Sequence, residues 1–94
     1  MKSADKSEIL KTERVLRALG NRRRLAILQM LNQHDSLSVG SIAERLHLSF
    51  AATSRHLRVL AGADLIESEQ QSTTVNYALS KQRPSILDTV LKNI

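Results

Sequence analysis

The sequence has no cysteine and no tryptophan, and its 94 residues include one proline, one phenylalanine, one tyrosine and three glycines. Without cysteine there are no disulfides, thiolate metal sites, thiol nucleophiles or cysteine redox switches. A transition-metal site would have to draw on His34, His47, His56 and carboxylates alone. No apolar run approaches the ~20 residues of a membrane-spanning helix. The segment Met1 to Lys11 is polar and mixed in charge, unlike a signal peptide. A soluble, cytoplasmic chain without membrane contact is expected. Most large enzyme folds are excluded by length, because a domain usually takes on the order of 100 residues and a second core does not fit. Residues 1–94 are therefore expected to form one domain.

Charge is what the chain has in excess. Fourteen Lys+Arg against nine Asp+Glu give a formal net charge of +5, with a pI near 10.3, which favours a polyanionic partner such as nucleic acid or an anionic membrane surface. The excess is local. Lys2, Lys6, Lys11, Arg14, Arg17, Arg22, Arg23 and Arg24 face only Asp5, Glu8 and Glu13 in residues 1–34, and the rest of the chain balances. A solvated basic helix has this composition too, but three consecutive arginines, Arg22 to Arg24, fit phosphate binding better.

Sparse punctuation makes the elements readable. Ser7 to Leu19 carries Ile9, Leu10, Leu16 and Leu19 near a helical period, and Gly20 is suited to end that helix in the left-handed conformation. Asn21 caps a second helix, Arg22 to Asn32, with Leu25, Leu28 and Leu31 spaced by three. A polar loop, Gln33 to Leu37, leads to Ser38, the expected cap of a two-turn helix bearing Ile42, Ala43 and Leu46. Ser49 caps the next helix, Phe50 to Ala61, whose inner positions are Thr53, Leu57 and Leu60. Two helices joined by about three residues have helix-turn-helix spacing, and the second offers Phe50, Ala51, Ser54, Arg55 and Arg58 outward. Leu65, Ile66, Val75, Tyr77 and Leu79 then alternate around the polar tip Gln70, Gln71, Ser72 and Thr73, which predicts a short antiparallel hairpin. Pro84 suits the first position of a last helix carrying Ile86, Leu87, Val90, Leu91 and Ile94. The predicted fold is mainly α with a small β-hairpin: four helices, two strands and a fifth helix, a winged helix-turn-helix.

The segments Ala18 to Leu28, Ile42 to Leu46, Leu48-Ser49 and Ser54-Arg55-His56-Leu57-Arg58-Val59-Leu60 closely resemble the ArsR/SmtB family of bacterial repressors, over about Val15 to Leu79. The resemblance implies a homodimer joined by its first and last helices, at about 7–19 and 84–94, bound to a partly palindromic double-stranded DNA operator. Apart from the resemblance, a small core cannot cover both the Ile9/Leu10/Leu16 stripe and the Ile86/Leu87/Val90/Leu91/Ile94 stripe, so a second copy is expected to bury them. The competing arrangement packs the two stripes on each other in a monomer. By resemblance, base reading falls to Phe50, Ala51, Ser54 and Arg55, beside the capping Ser49. Arg55 can pair with guanine, and Phe50 and Ala51 with thymine methyls. Phe50 has the alternative of packing on Ala26 or the wing, and Ser54 of bonding back to its own helix. Arg22 and Arg23 suit phosphates at a helix N-terminus, whereas Arg24 and His56 match family positions with local structural roles.

Departures from the family pattern are equally informative. Ser38 and Gly40 stand where metal-sensing members place a Cys-x-Cys pair, and the last helix has Asp88 but no histidine. Asp64 replaces the usual glycine before the wing, whose tip has no Lys or Arg. No cofactor and no metal is expected, and the effector is left open. No catalytic spacing or Gly-rich phosphate loop points to an enzyme. A winged helix serving only protein interaction is the main alternative, but it would not keep Ala51, Ala52, Ser54, Arg55 and Arg58 as a slim cationic face. A membrane-surface module lacks a basic helix with Trp or Phe opposite. Zinc is accordingly expected to leave DNA affinity unchanged in a mobility-shift titration; a stoichiometric, zinc-dependent loss of binding would contradict this.

Overall fold

Four of the five helices in the described residues start at a short polar side chain that accepts from otherwise unpaired N–H groups. In the computed structural model, which describes residues 5–94, α1 (Lys6–Leu19) begins where Asp5 accepts from the Glu8 amide at 2.8 Å. Lys2 of the basic N-terminal third lies outside the described residues. Asn21 opens α2 (Arg22–Gln33) by accepting from the amides of Arg23 at 3.0 Å and Arg24 at 3.1 Å. Ser38 caps α3 (Val39–Leu46) through Ser41, and Ser49 caps α4 (Phe50–Gly62) through Ala52. Gly20 ends α1 at φ −80°, not in the left-handed region expected of it.

The left-handed closures fall on other residues. At the end of α3, His47 takes φ 55° while its amide donates to Glu44 O and the Leu48 amide to Ala43 O, the paired bonds of a Schellman motif. Asp64 repeats this after α4, at φ 60°, with Asp64 N–H donating to Ala61 O and Leu65 N–H to Leu60 O. Aspartate can hold this conformation, so the missing glycine before the wing is accommodated without loss of the turn.

The sheet has one strand more than the hairpin expected. β1 (Leu37–Ser38) lies in the segment read as a loop and pairs antiparallel with β3 (Thr74–Leu79), Leu37 opposite Tyr77. Two residues are too few for a period-two signal, and Leu37 is held by packing against the core. β2 (Ile66–Gln71) pairs along β3 from Ile66 opposite Leu79 to Gln71 opposite Thr74, giving the order β1-β3-β2. Ser72 carries the positive φ at the first of two loop positions that a tight hairpin needs. Finally α5 (Ser85–Lys92) starts one residue after Pro84, which is the cap and not the first helical position. Its end is tied back where Gln29 Nε2 donates to Ile94 O at 2.8 Å.

One core joins these elements. Ile27 and Leu28 of α2, Ile42 of α3, Leu57 and Leu60 of α4, Leu65 before β2 and Leu87 of α5 are fully buried. Thr53 is buried with them and satisfied, its Oγ1 donating to Ser49 O at 2.9 Å. Among the described residues no helix is long and apolar enough to cross a membrane. Because an L-residue in the left-handed region costs roughly 1–2 kcal/mol, partly offset by glycine's larger unfolded-state entropy, His47→Gly and Asp64→Gly are each expected to raise stability by up to about 1 kcal/mol. The valine variants should lower it, as read from urea midpoints at fixed protein concentration.

Candidate nucleic-acid interface

Burial of Thr53, Leu57 and Leu60 fixes the rotation of α4, and the opposite side is what solvent sees. Ala51, Arg55 and Arg58 are exposed there, with Ser54 half-buried beside them. Ser54 Oγ makes no hydrogen bond among the described residues, so the back-bond to its own helix is not formed. Ser49 is exposed, with its Oγ occupied as an acceptor by the Ala52 amide. Arg22 and Arg23 are exposed at the start of α2. Among the described residues the ion pairs are Arg17–Glu13 and Arg83–Asp88, which leaves Arg22, Arg23, Arg55 and Arg58 without a carboxylate partner.

Phe50 is 64% exposed and belongs to no part of the core. It lines an open crevice of about 560 Å³ between α4, the start of α3 and the wing, together with Ser54, Arg58, Thr73 and Tyr77. The wing tip is exposed and neutral. Gln70 Nε2 donates to Ser72 O at 3.3 Å, and Gln71 Oε1 accepts from Asn76 Nδ2 at 3.1 Å. The tip amides are therefore partly used in holding the hairpin, while the Ser72 and Thr73 hydroxyls make no hydrogen bond among the described residues. Sequence reasoning brought out the helix and the tip but missed the crevice wall, Val75 and Tyr77, because the β1–β3 pairing that sets Tyr77 opposite Leu37, just ahead of α3, has no local signal.

A second omission is the bond set around Arg24. Its Nε donates to Ala18 O at 2.7 Å and its Nη2 to Arg17 O at 2.9 Å, at the C-terminal end of α1, while Nη1 meets His56 Nδ1 at 3.4 Å. One guanidinium thus ties α1, α2 and α4 together. Its partners are six, seven and 32 positions away in sequence, which no local spacing reveals. Partial burial, and then the charges of Arg24, Arg23 and Arg55, push the His56 imidazole below its ordinary pKa of 6.5. In the tautomer with Nδ1 unprotonated the ring accepts from Arg24, and Arg23 and Arg55, one from each helix, both lie near enough to His56 to disfavour its protonation.

The faces expected to pair two copies are only partly as read. Ile9 is 57% and Leu16 51% exposed on α1, with Leu10 similarly open, and Ile86 and Ile94 are exposed on α5. Val90 and Leu91 pack half-buried against the chain's own core. Leu87 is a correction: it is fully buried within its own protomer and cannot form a surface contact, because it sits on the inner edge of α5. Leu16 and Ile86 line one open groove between α1 and α5, and both remain exposed. Among the described residues no three His, Asp or Glu side chains converge as a metal site would need.

Comparison with known proteins places these features in a wider set. A family model described as a helix-turn-helix domain matches residues 19–69. The transcriptional activator HlyU of Vibrio cholerae is 44% identical over 66 residues, covering 70% of this chain and 60% of the activator's own length. Its solved structure superposes with a TM-score of 0.79 at 33% identity, over 95% of this chain and 97% of that one. The HTH-type transcriptional regulator YgaV of Escherichia coli is 30% identical over 80 residues, covering 85% of this chain and 81% of YgaV. The homodimeric winged helix-turn-helix DNA-binding domain of a possible ArsR-family regulator from Mycobacterium bovis matches with a TM-score of 0.82 at 27% identity, over 98% of this chain and 83% of that one.

The low pKa of His56 has a measurable consequence. The unfolded chain takes up this proton more readily than the folded one, so the contribution to stability is fully present above pH 6.5 and is lost as pH falls below it. His56→Gln, which keeps an acceptor for Arg24, should flatten the fall in urea midpoint between about pH 7 and pH 5.5. An unchanged slope would assign the fall to other groups.

Proposed function

Because the chain belongs to the ArsR/SmtB family of winged helix-turn-helix transcriptional regulators, we propose that it is a homodimeric, sequence-specific double-stranded DNA-binding repressor without enzymatic activity. The observation that carries this is the outward face of α4, held by a buried inner edge and presenting small and cationic side chains free of carboxylates. A helix of that profile fits the major groove, with the wing along the flanking backbone.

Within this reading Arg22 and Arg23 contact phosphates, Arg55 reads guanine, and Ser54 with Arg58 bonds a base edge or phosphate. Phe50 and Ala51 cover a thymine methyl, and Ser49 and the tip from Gln70 to Thr73 add neutral hydrogen bonds. Every residue from Asp5 to Arg14 is exposed, and an isolated helix of α1's length is marginal in water. A second copy docking along α1 and the outer edge of α5 covers Ile9, Leu10, Leu16, Ile86 and Ile94. The M. bovis neighbour, described as homodimeric, supports this assembly. The pair would set two α4 helices about 34 Å apart, over a partly palindromic operator. A domain with one face on DNA and another on its twin acts by occupying the site, and its signal is not a transition metal.

Selection of bound duplexes from random DNA tests the reading, with two symmetric half-sites one turn apart as the expected result. Arg55→Ala should cost about 1–3 kcal/mol and relax a guanine in each half-site. Arg23→Ala should leave the selected sequence intact and reduce the steepness of log K against log salt by roughly 2 across the dimer, about 0.9 per phosphate contact. Recovery of unrelated duplexes with no shared half-site would favour the protein-interaction module.

A further inference from the structure

The chain contains one phenylalanine, one tyrosine and no tryptophan, and both of its aromatic rings line the same crevice between α4 and the wing. Phe50 forms its rim at 64% exposure, and Tyr77 on β3 is half-buried in the wall beside Val75. An aromatic ring left this open gains by covering its face, because apolar surface is then removed from water.

Charge in the crevice has one sign. Arg58 is its only ionisable cation, no carboxylate lines it, and Arg58 has no ion-pair or hydrogen-bond partner among the described residues. Phe50, Ser54 and Arg58 follow one another at i, i+4 and i+8 along α4, so ring and guanidinium are separated by about 12 Å of helix. The volume, about 560 Å³, lies within the usual ~300–1,000 Å³ range of small-molecule sites.

We propose that this crevice binds a flat, two-ring aromatic carboxylate, its rings between Phe50 and Tyr77 and its carboxylate on Arg58, and that an occupied crevice excludes DNA. Aromatic walls recognise a planar apolar body, and a lone guanidinium selects an anion of matching fork geometry. The exclusion half rests on the proposed DNA reading, because Phe50, Ser54 and Arg58 would serve both partners. Ligand and operator then compete for the same side chains, and the effector needs no change of fold to act.

The test uses the full chain, whose Phe50 and Tyr77 ring resonances are each unique of their kind. Titration with naphthoate should shift both ring sets saturably, at one site per chain. Naphthyl methanol, the neutral analogue, should bind at least tenfold more weakly, and Arg58→Met should weaken naphthoate to a similar degree. Gly40→Leu serves as a second variant, since a Cβ at Gly40 meets nothing within 4 Å and the larger side chain narrows the crevice it lines; it should remove the shifts while the remaining spectrum stays folded. Saturating naphthoate should also raise the apparent Kd for a selected duplex at least tenfold. Absence of saturable ring shifts overturns the site, as does equal binding of acid and alcohol unaffected by Arg58→Met. Ring shifts produced by duplex but not by naphthoate would assign the crevice to DNA alone. Naphthoate binding with unchanged duplex affinity overturns the exclusion. If no duplex is bound at all, the DNA reading fails while the ring titration still decides the ligand site.

Discussion

The inner edge of α4 is the contact on which the molecule depends. Thr53, Leu57 and Leu60 are buried against the α2 and α3 side chains, and Thr53 is admitted only because its hydroxyl bonds Ser49 O. A rotation of α4 by one position would bring Ser54 and Arg58 toward the apolar interior, where an unpaired guanidinium is not tolerated. Core packing thus decides which residues face outward, and the outward set determines what the helix can recognise. The Arg24 guanidinium fixes the same helix from the other side, by joining His56 to the last carbonyls of α1. The helix proposed to meet DNA and the helix proposed to meet a second copy are therefore joined at one side chain.

A single core of this size leaves surfaces it cannot cover. Cationic ones face outward on α2 and α4, and apolar ones run along α1 and the outer edge of α5. In the proposed reading a polyanion covers the first kind and a second copy the second, so that the two partners would use different faces of one protomer. The crevice between α4 and the wing is a third surface, small, aromatic and singly charged, placed where a ligand would interfere with the first.

Much of this was legible in the sequence, and the exceptions have physical causes. Asn21, Ser38 and Ser49 announced their helices because capping is a local interaction of a short polar side chain with amides two or three residues on. The inner face of α4 was legible for the same reason, its period being contained in one helix. β1 was not, since two residues hold no period and their pairing is made with β3 some forty positions later. Left-handed φ values at His47 and Asp64 escaped composition-based reading, which looks for glycine at Schellman closures and found Gly20 instead. Leu87 shared the apolar spacing of Ile86 and Val90, and periodicity alone cannot tell the side of a short helix that meets its own core from the side that meets a partner. The crevice joins three elements distant in sequence, so no stretch of chain records it.

In the proposed assembly the exposed apolar faces of α1 and α5 lie between two copies and so hold two α4 helices in fixed relation. Sedimentation equilibrium of the DNA-free chain at micromolar concentration tests it most directly. A species of twice the 10.5 kDa chain mass is expected, reduced to the single-chain mass by Leu16→Glu with the fold retained. A wild-type chain that sediments as a folded monomer across that range would contradict it.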